Sequence, residues 1–203
     1  MPADYDKQSY WHDRFAFETA FEWYTTSEAF LNVLSPLLDE LPRDAGILHL
    51  GSGTSDLHNH LRERGFVKVT NIDYEPLALQ RGQQLERDRF GDVRTTYLVA
   101  DATQLDLNDT YQLDLAIDKG TADPIACGGS DEVVAMAEGI RRCLDSGGVW
   151  VCLSYSASRF DSKAVQSLFD VQVLHRVPTP KSKATDPDIF HFCYLLRPKR
   201  GVA

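Results

Sequence analysis

The sequence predicts an α/β fold built on a mostly parallel, doubly wound sheet with antiparallel terminal strands. Three observations predict it. Apolar strand-like runs alternate with helix-period stretches through the first five strands, the first run opens directly onto a glycine turn, and the last two runs are joined by a loop with no helical pattern. The alternation calls for parallel strands with right-handed crossovers. The final loop, rich in proline and lysine over 178–187, calls for an antiparallel hairpin.

The elements follow in order. Residues 27–41 carry Phe30, Leu31, Leu34, Leu37 and Leu38 at helical spacing, with Ser27 as cap and Pro42 closing the segment. Residues 46–50 form a short buried strand, and 56–64, stopped by Gly65, the helix after it. The pattern repeats as strand 67–72, helix 76–90, strand 95–99 and strand 113–117. A helix over 131–144 ends in Ser146-Gly147-Gly148 and leads into strand 149–155; strands 171–177 and 189–196 close the chain. One domain is expected over 1–203, with an aromatic leading segment, 1–26, ahead of a core, 27–203.

Composition narrows the function classes. The chain has 203 residues, 30 acidic and 21 basic, for a net charge of -9. Such a surface does not suit phosphate tracking, so no nucleic-acid partner is expected. It suits a basic protein substrate, and it equally suits solubility alone. Cys127, Cys143, Cys152 and Cys193 are widely separated and form no C-x-x-C pair, so they read as reduced packing residues and no metal is expected. The N-terminus lacks an apolar signal core and no window approaches the roughly 18 apolar residues of a membrane span. No membrane partner is expected, and the location expected is cytoplasmic, with the nucleus open.

In a doubly wound sheet the ligand crevice lies beyond the carboxyl ends of the strands. After the first strand come Gly51-Ser52-Gly53-Thr54-Ser55, where the backbone turns sharply and admits a ligand closely. Asp56 stands where a dinucleotide fingerprint would place a third small residue. A carboxylate at a helix N-terminus repels pyrophosphate, which favours a phosphate-free cofactor such as S-adenosylmethionine. Asp73, 22 positions after Gly51, can accept from both ribose hydroxyls, and Tyr74 can lie against adenine. Asp101 can accept from the adenine amino group, with the Ala102 N–H directed to a ring nitrogen. The fourth strand runs into Asp118-Lys119-Gly120-Thr121-Ala122-Asp123. Asp118 and Asp123 are the candidates to hold an acceptor amine as it loses its proton; the other reading of them is a strand-end turn with Asp118 paired to Lys119 or another cation.

The leading segment concentrates Tyr10, Trp11, Phe15, Phe17, Phe21, Trp23 and Tyr24 around Arg14 and Glu22. Its two readings are a lid of aromatic faces over a sulfonium cation and simple cover for apolar surface. His49 and His191 lie inside strands and read as packed residues.

Taken together, Tyr10-Trp11 with Arg14-Phe15, Phe21-Glu22-Trp23-Tyr24, Leu50-Gly51-Ser52-Gly53, Ile72-Asp73-Tyr74 and Ile117 through Asp123 resemble the small seven-strand methyltransferases related to the eukaryotic elongation factor 1A lysine methyltransferases. The resemblance extends to Gly147-Gly148 and to His191-Phe192-Cys193-Tyr194. It implies a Rossmann-like seven-stranded methyltransferase sheet and methyl transfer from S-adenosylmethionine, leaving S-adenosylhomocysteine. By motif it implies cofactor contacts at Trp11, Phe15, Trp23, Gly51, Asp73, Tyr74, Asp101, Ala102 and Lys119, beside Gly53 of the turn. The implied acceptor is a protein lysine, elongation factor 1A-like; a small-molecule N-, O- or S-acceptor and a non-catalytic cofactor-binding module are the alternatives. Phe15 stands where the family often has Tyr, Ser52 and Thr54 where it often has Cys and Asn, and residues 122–129 depart from it, which bears most on the acceptor.

Overall fold

A computed structural model describes residues 4–107 and 113–199. Its strands are β1 (Ile47–Leu50), β2 (Val69–Asp73), β3 (Thr96–Val99), β4 (Leu113–Lys119), β5 (Leu144–Ser154), β6 (Phe169–Pro178) and β7 (Phe190–Pro198). They form one seven-stranded sheet in the order β3-β2-β1-β4-β5-β7-β6. The β1–β2, β2–β3, β1–β4 and β4–β5 pairs are parallel, whereas β7 runs antiparallel to both β5 and β6. Strand order reverses between β1 and β4, and a ligand crevice is expected at such a switch point.

Helices cover both faces. On one, Phe30, Leu31, Leu34 and Leu38 of α2 (Ser27–Glu40) and Leu57 and Leu61 of α3 (Leu57–Glu63) pack on Ile47, Val69, Leu115, Ile117 and Val151. On the other, Met136, Ala137 and Ile140 of α6 (Ser130–Cys143) pack with Leu48, Leu50, Ala116, Trp150 and Phe160. Every residue of β1 and β2 is buried, as parallel strands covered on both faces require. α4 (Pro76–Phe90) is tied to its neighbours by Glu86, whose fully buried carboxylate accepts from Arg62, the Thr95 and Tyr97 hydroxyls and the Arg94 and Thr95 N–H groups.

Three helices lie where none is predicted: α1 (Gln8–Phe17), α5 (Ala122–Cys127) and α7 (Lys163–Leu168). The latter two are single short turns. α1 escapes the helical pattern because only Trp11 and Phe15 of it are buried, while Phe17 is 88% exposed. The Gly147-Gly148 pair does not cap a helix. α6 stops at Cys143 and the glycines lie inside β5, where the register with β4 shifts between Leu113 and Leu115. A Cβ on Gly148 would stand 2.3 Å from the Leu113 carbonyl oxygen, so close backbone approach sets this position. Cys143, Cys152 and Cys193 are buried, but Cys127 is exposed on α5, so the packing reading does not extend to it. Among the described residues no helix is long and apolar enough to cross a membrane.

Candidate cofactor site at the switch point of the sheet

The chain leaves β1 in a left-handed turn, with φ of +56° at Gly51 and +52° at Gly53. Two bonds tie the turn to β2: Ser52 N–H donates to the Ile72 carbonyl and Gly53 N–H to Asp73 Oδ2, each at 2.9 Å. Thr121 closes its other side, its hydroxyl donating to the Leu50 carbonyl at 3.0 Å. Asp73 Oδ1 accepts from the Glu75 N–H at 2.9 Å, and each carboxylate oxygen keeps a further lone pair. Burial pushes the Asp73 carboxyl up to about 6, against the N–H bonds that pull it down. Beyond β3, Asp101 is exposed and caps the 3-10 turn Ala102–Gln104, one oxygen accepting from Thr103 N–H and hydroxyl.

The leading segment covers the turn. Trp11 and Phe15 of α1 pack on Ala78 of α4, with Tyr5, Tyr10, Trp23, Tyr74 and Leu77 around them. Past α1 the chain is fastened at each step. Thr54 donates to Glu18 at 2.7 Å. Glu22 Oε1 accepts from the Ser27 and Ser55 hydroxyls, each at 2.8 Å, and from Asp56 N–H at 3.2 Å. The N-terminus of α3 therefore already holds a carboxylate of the chain, which reinforces the exclusion of pyrophosphate argued from Asp56. Lys119 pairs with Glu22 Oε2 at 2.5 Å and donates to the Trp23 carbonyl at 3.0 Å. Tyr24 has φ of +67° in a tight turn closed by Thr25 N–H on the Trp23 carbonyl. Its hydroxyl reaches Asp123 at 2.5 Å.

Trp11, Phe15, Trp23, Gly51, Gly53, Asp73, Tyr74 and Lys119 line one half of a continuous cleft; Asp101 and Ala102 line the other, which shares Gly51, Asp73 and Tyr74 with the first. All ten residues assigned to the cofactor are thus brought together. Lys119 differs from the rest, since its ammonium is directed at the leading segment. Phe17 is 88% exposed and takes no part in the lining. Glu18, His49 and Thr121 also line the cleft; Thr121 belongs to the segment singled out after the fourth strand, whereas no sequence motif marked Glu18 or His49.

Asp118 and Asp123, the candidates to hold an acceptor amine, are not among the residues that line the cleft. Asp118 is fully buried and accepts from the Thr121 and Ala122 N–H groups in a strand-end turn, but it is not paired with Lys119, whose ammonium goes to Glu22. Burial raises its carboxyl to about 6. Asp123 accepts from the Tyr24 and Ser154 hydroxyls, the Tyr155 N–H, and Nε and Nη2 of Arg159. With five donors on two oxygens it fastens the leading segment to the end of β5. No cluster of His, Cys, Asp or Glu among the described residues could hold a metal ion.

A phosphate-free nucleoside fits this cleft: carboxylates follow β2 and β3, a bare glycine backbone follows β1, and aromatic faces close the end where a sulfonium would lie. The fold and the cleft together define a class I, seven-strand methyltransferase dependent on S-adenosylmethionine. Residues 48–152 match the family described as the methyltransferase domain, and the chain belongs to it. It is 56% identical to "Methyltransferase srdJ" of Neurospora crassa, over all of this chain and 87% of that one. It is 30% identical to the mouse "eEF1A lysine and N-terminal methyltransferase" over 80% of its length, yet spans only 23% of that protein. Among solved structures it is similar to the N-methyltransferase NodS of Bradyrhizobium japonicum bound to S-adenosylhomocysteine, with TM-score 0.67, 15% identity and coverage of 93% and 99%.

Proposed function

We propose that the chain methylates a lysine side-chain amine of a protein, holding S-adenosylmethionine along the cleft. In this reading Asp73 accepts from the ribose hydroxyls, Tyr74, Asp101 and Ala102 hold the adenine, and the glycine turn floors the amino-acid end. Trp11, Phe15 and Trp23 cover that end, and Lys119 acts at one remove by tying the cover down. The bound cofactor supplies an electrophilic methyl sulfonium; the chain's residues align the acceptor and exclude water.

The observation that supports a protein acceptor best is the open aromatic rim at the covered end. Phe21 lines the cleft yet is 43% exposed; Tyr155, just past β5 and outside the lining, is 56% exposed and its N–H shares Asp123 with the Tyr24 hydroxyl. Each ring carries a guanidinium of the chain, Arg14 at 4.8 Å over Phe21 and Arg159 at 5.3 Å over Tyr155, and the part of Phe21 left exposed suits the aliphatic stem of a lysine presented by a larger molecule. The mouse relative's name points the same way. A small-molecule acceptor is the second reading. The Neurospora crassa relative, matched over 87% of its length, carries the plain name of a methyltransferase and leaves both acceptors open, whereas the mouse enzyme is matched over less than a quarter of its length.

Labelled S-adenosylmethionine incubated with a eukaryotic extract distinguishes the two. The expected result is label in a protein band that yields methyl-lysine on hydrolysis; label confined to small extractable molecules overturns the lysine reading.

The Asp73 role carries a pH dependence. The ionised carboxylate is the better acceptor for ribose hydroxyls, and the group is protonated below about 6. Cofactor binding favours the ionised form, so affinity is expected to hold at neutral pH and to weaken as pH falls through about 6. Calorimetric titration across that range checks this, and Asp73→Asn is expected to bind weakly with the slope removed.

A further inference from the structure

His49 is a polar side chain in the cleft to which the contacts above assign no part. It lies in β1, two residues before Gly51, is 1% exposed, and lines the covered half of the cleft beside Gly51 and Ser52. Its Nδ1 is 3.1 Å from Asn71 Oδ1 on the neighbouring strand. The orientation of that amide is set by its other end: Asn71 Nδ2 donates to the Thr95 hydroxyl at 3.2 Å and to the Thr96 carbonyl at 3.3 Å. The oxygen must therefore face the imidazole. An amide oxygen only accepts, so Nδ1 carries the ring hydrogen and Nε2 carries a lone pair. Burial supports the neutral ring, lowering its pKa to about 3. Nε2 has no hydrogen-bond partner among the described residues. The nearby Lys119 ammonium is spent on Glu22 and the Trp23 carbonyl.

His49 Nε2 thus presents a fixed lone pair to the cleft, where a donor on a bound ligand can meet it. The amino-acid end of the cofactor offers one donor group, its α-ammonium; the carboxylate beside it only accepts. We propose that His49 Nε2 accepts a hydrogen bond from the α-ammonium of the bound cofactor, with Asn71 and Thr95 as positioning residues that hold the imidazole in the accepting tautomer. The inference rests on the cofactor orientation given above.

The test compares S-adenosylhomocysteine with its deamino analogue, in which hydrogen replaces the ammonium, by calorimetric titration. The wild-type protein is expected to prefer S-adenosylhomocysteine by about 10- to 100-fold, the range of one hydrogen bond to a charged group. His49→Phe is expected to bind both ligands at the analogue's affinity. A preference that persists undiminished in His49→Phe overturns the proposal. Asp73→Asn, at the ribose, is expected to weaken both ligands alike, and failure of that arm alone marks the orientation as wrong. Should His49→Phe not fold, nitrogen-15 spectra of the wild-type imidazole still decide. The Nε2 resonance is expected to move on addition of S-adenosylhomocysteine and to stay in place with the analogue; equal movement with both overturns the contact.

Discussion

Asp123→Ala is expected to lower the unfolding free energy by about 3–5 kcal/mol, because it leaves the buried Arg159 cation without its partner. The Arg159 side chain is 10% exposed and gives two of its donors to Asp123 Oδ1. Set against a typical total of about 5–15 kcal/mol, that is a large share, and a urea melt reads it directly. The Tyr24 hydroxyl is released by the same change, so the tight turn at Tyr24 loses the bond that holds its ring. Cofactor affinity and stability should therefore fall together. A base acting on the acceptor would behave otherwise: Asp123→Asn would then leave melting and cofactor affinity intact and remove only turnover.

Gly51→Ala is expected to abolish cofactor binding at accessible concentrations, a loss of at least about 100-fold given the backbone and side-chain displacement it forces. The added Cβ would stand 2.3 Å from Thr121 Oγ1 and 2.4 Å from Cγ2, in a residue held at φ of +56°. Thr121 cannot yield freely, since its hydroxyl is bonded to the Leu50 carbonyl at the end of β1. Gly53→Ala is the control. Its φ is also positive, at +52°, but a Cβ there meets nothing nearer than Phe15 Cζ at 3.7 Å. Its cost is the left-handed backbone alone, about 1–2 kcal/mol. Titration of both variants with S-adenosylhomocysteine should show a large gap between them; equal losses would refute Thr121 as the cause.

The two variants also show where sequence reading succeeds and where it stops. Alternating strands and helices, the glycine turn after the first strand and the acids after the second and third are local patterns, and they were legible in the residues alone. Their periodicity and turn chemistry are set by neighbours a few positions away. The cofactor half of the cleft follows from them, since a doubly wound sheet brings successive strand ends to one edge. The surroundings of Asp118 and Asp123 were not legible, because a carboxylate after a strand looks the same in sequence whether it faces a ligand or a ring of donors. The donors on Asp123 come from Tyr24, Ser154, Tyr155 and Arg159, far apart in the chain.

By itself, then, the sequence determined the fold class and, with the family resemblance, named ten residues that the fold gathers along one cleft. Only the tertiary structure decided that Glu22 occupies the N-terminus of α3, that Lys119 faces the leading segment, and that His49 is locked by Asn71 with one nitrogen unpartnered. The physical reason is the same in each case. The fate of a buried polar group depends on which donors and acceptors reach it, and those arrive from other strands and helices rather than from adjacent positions.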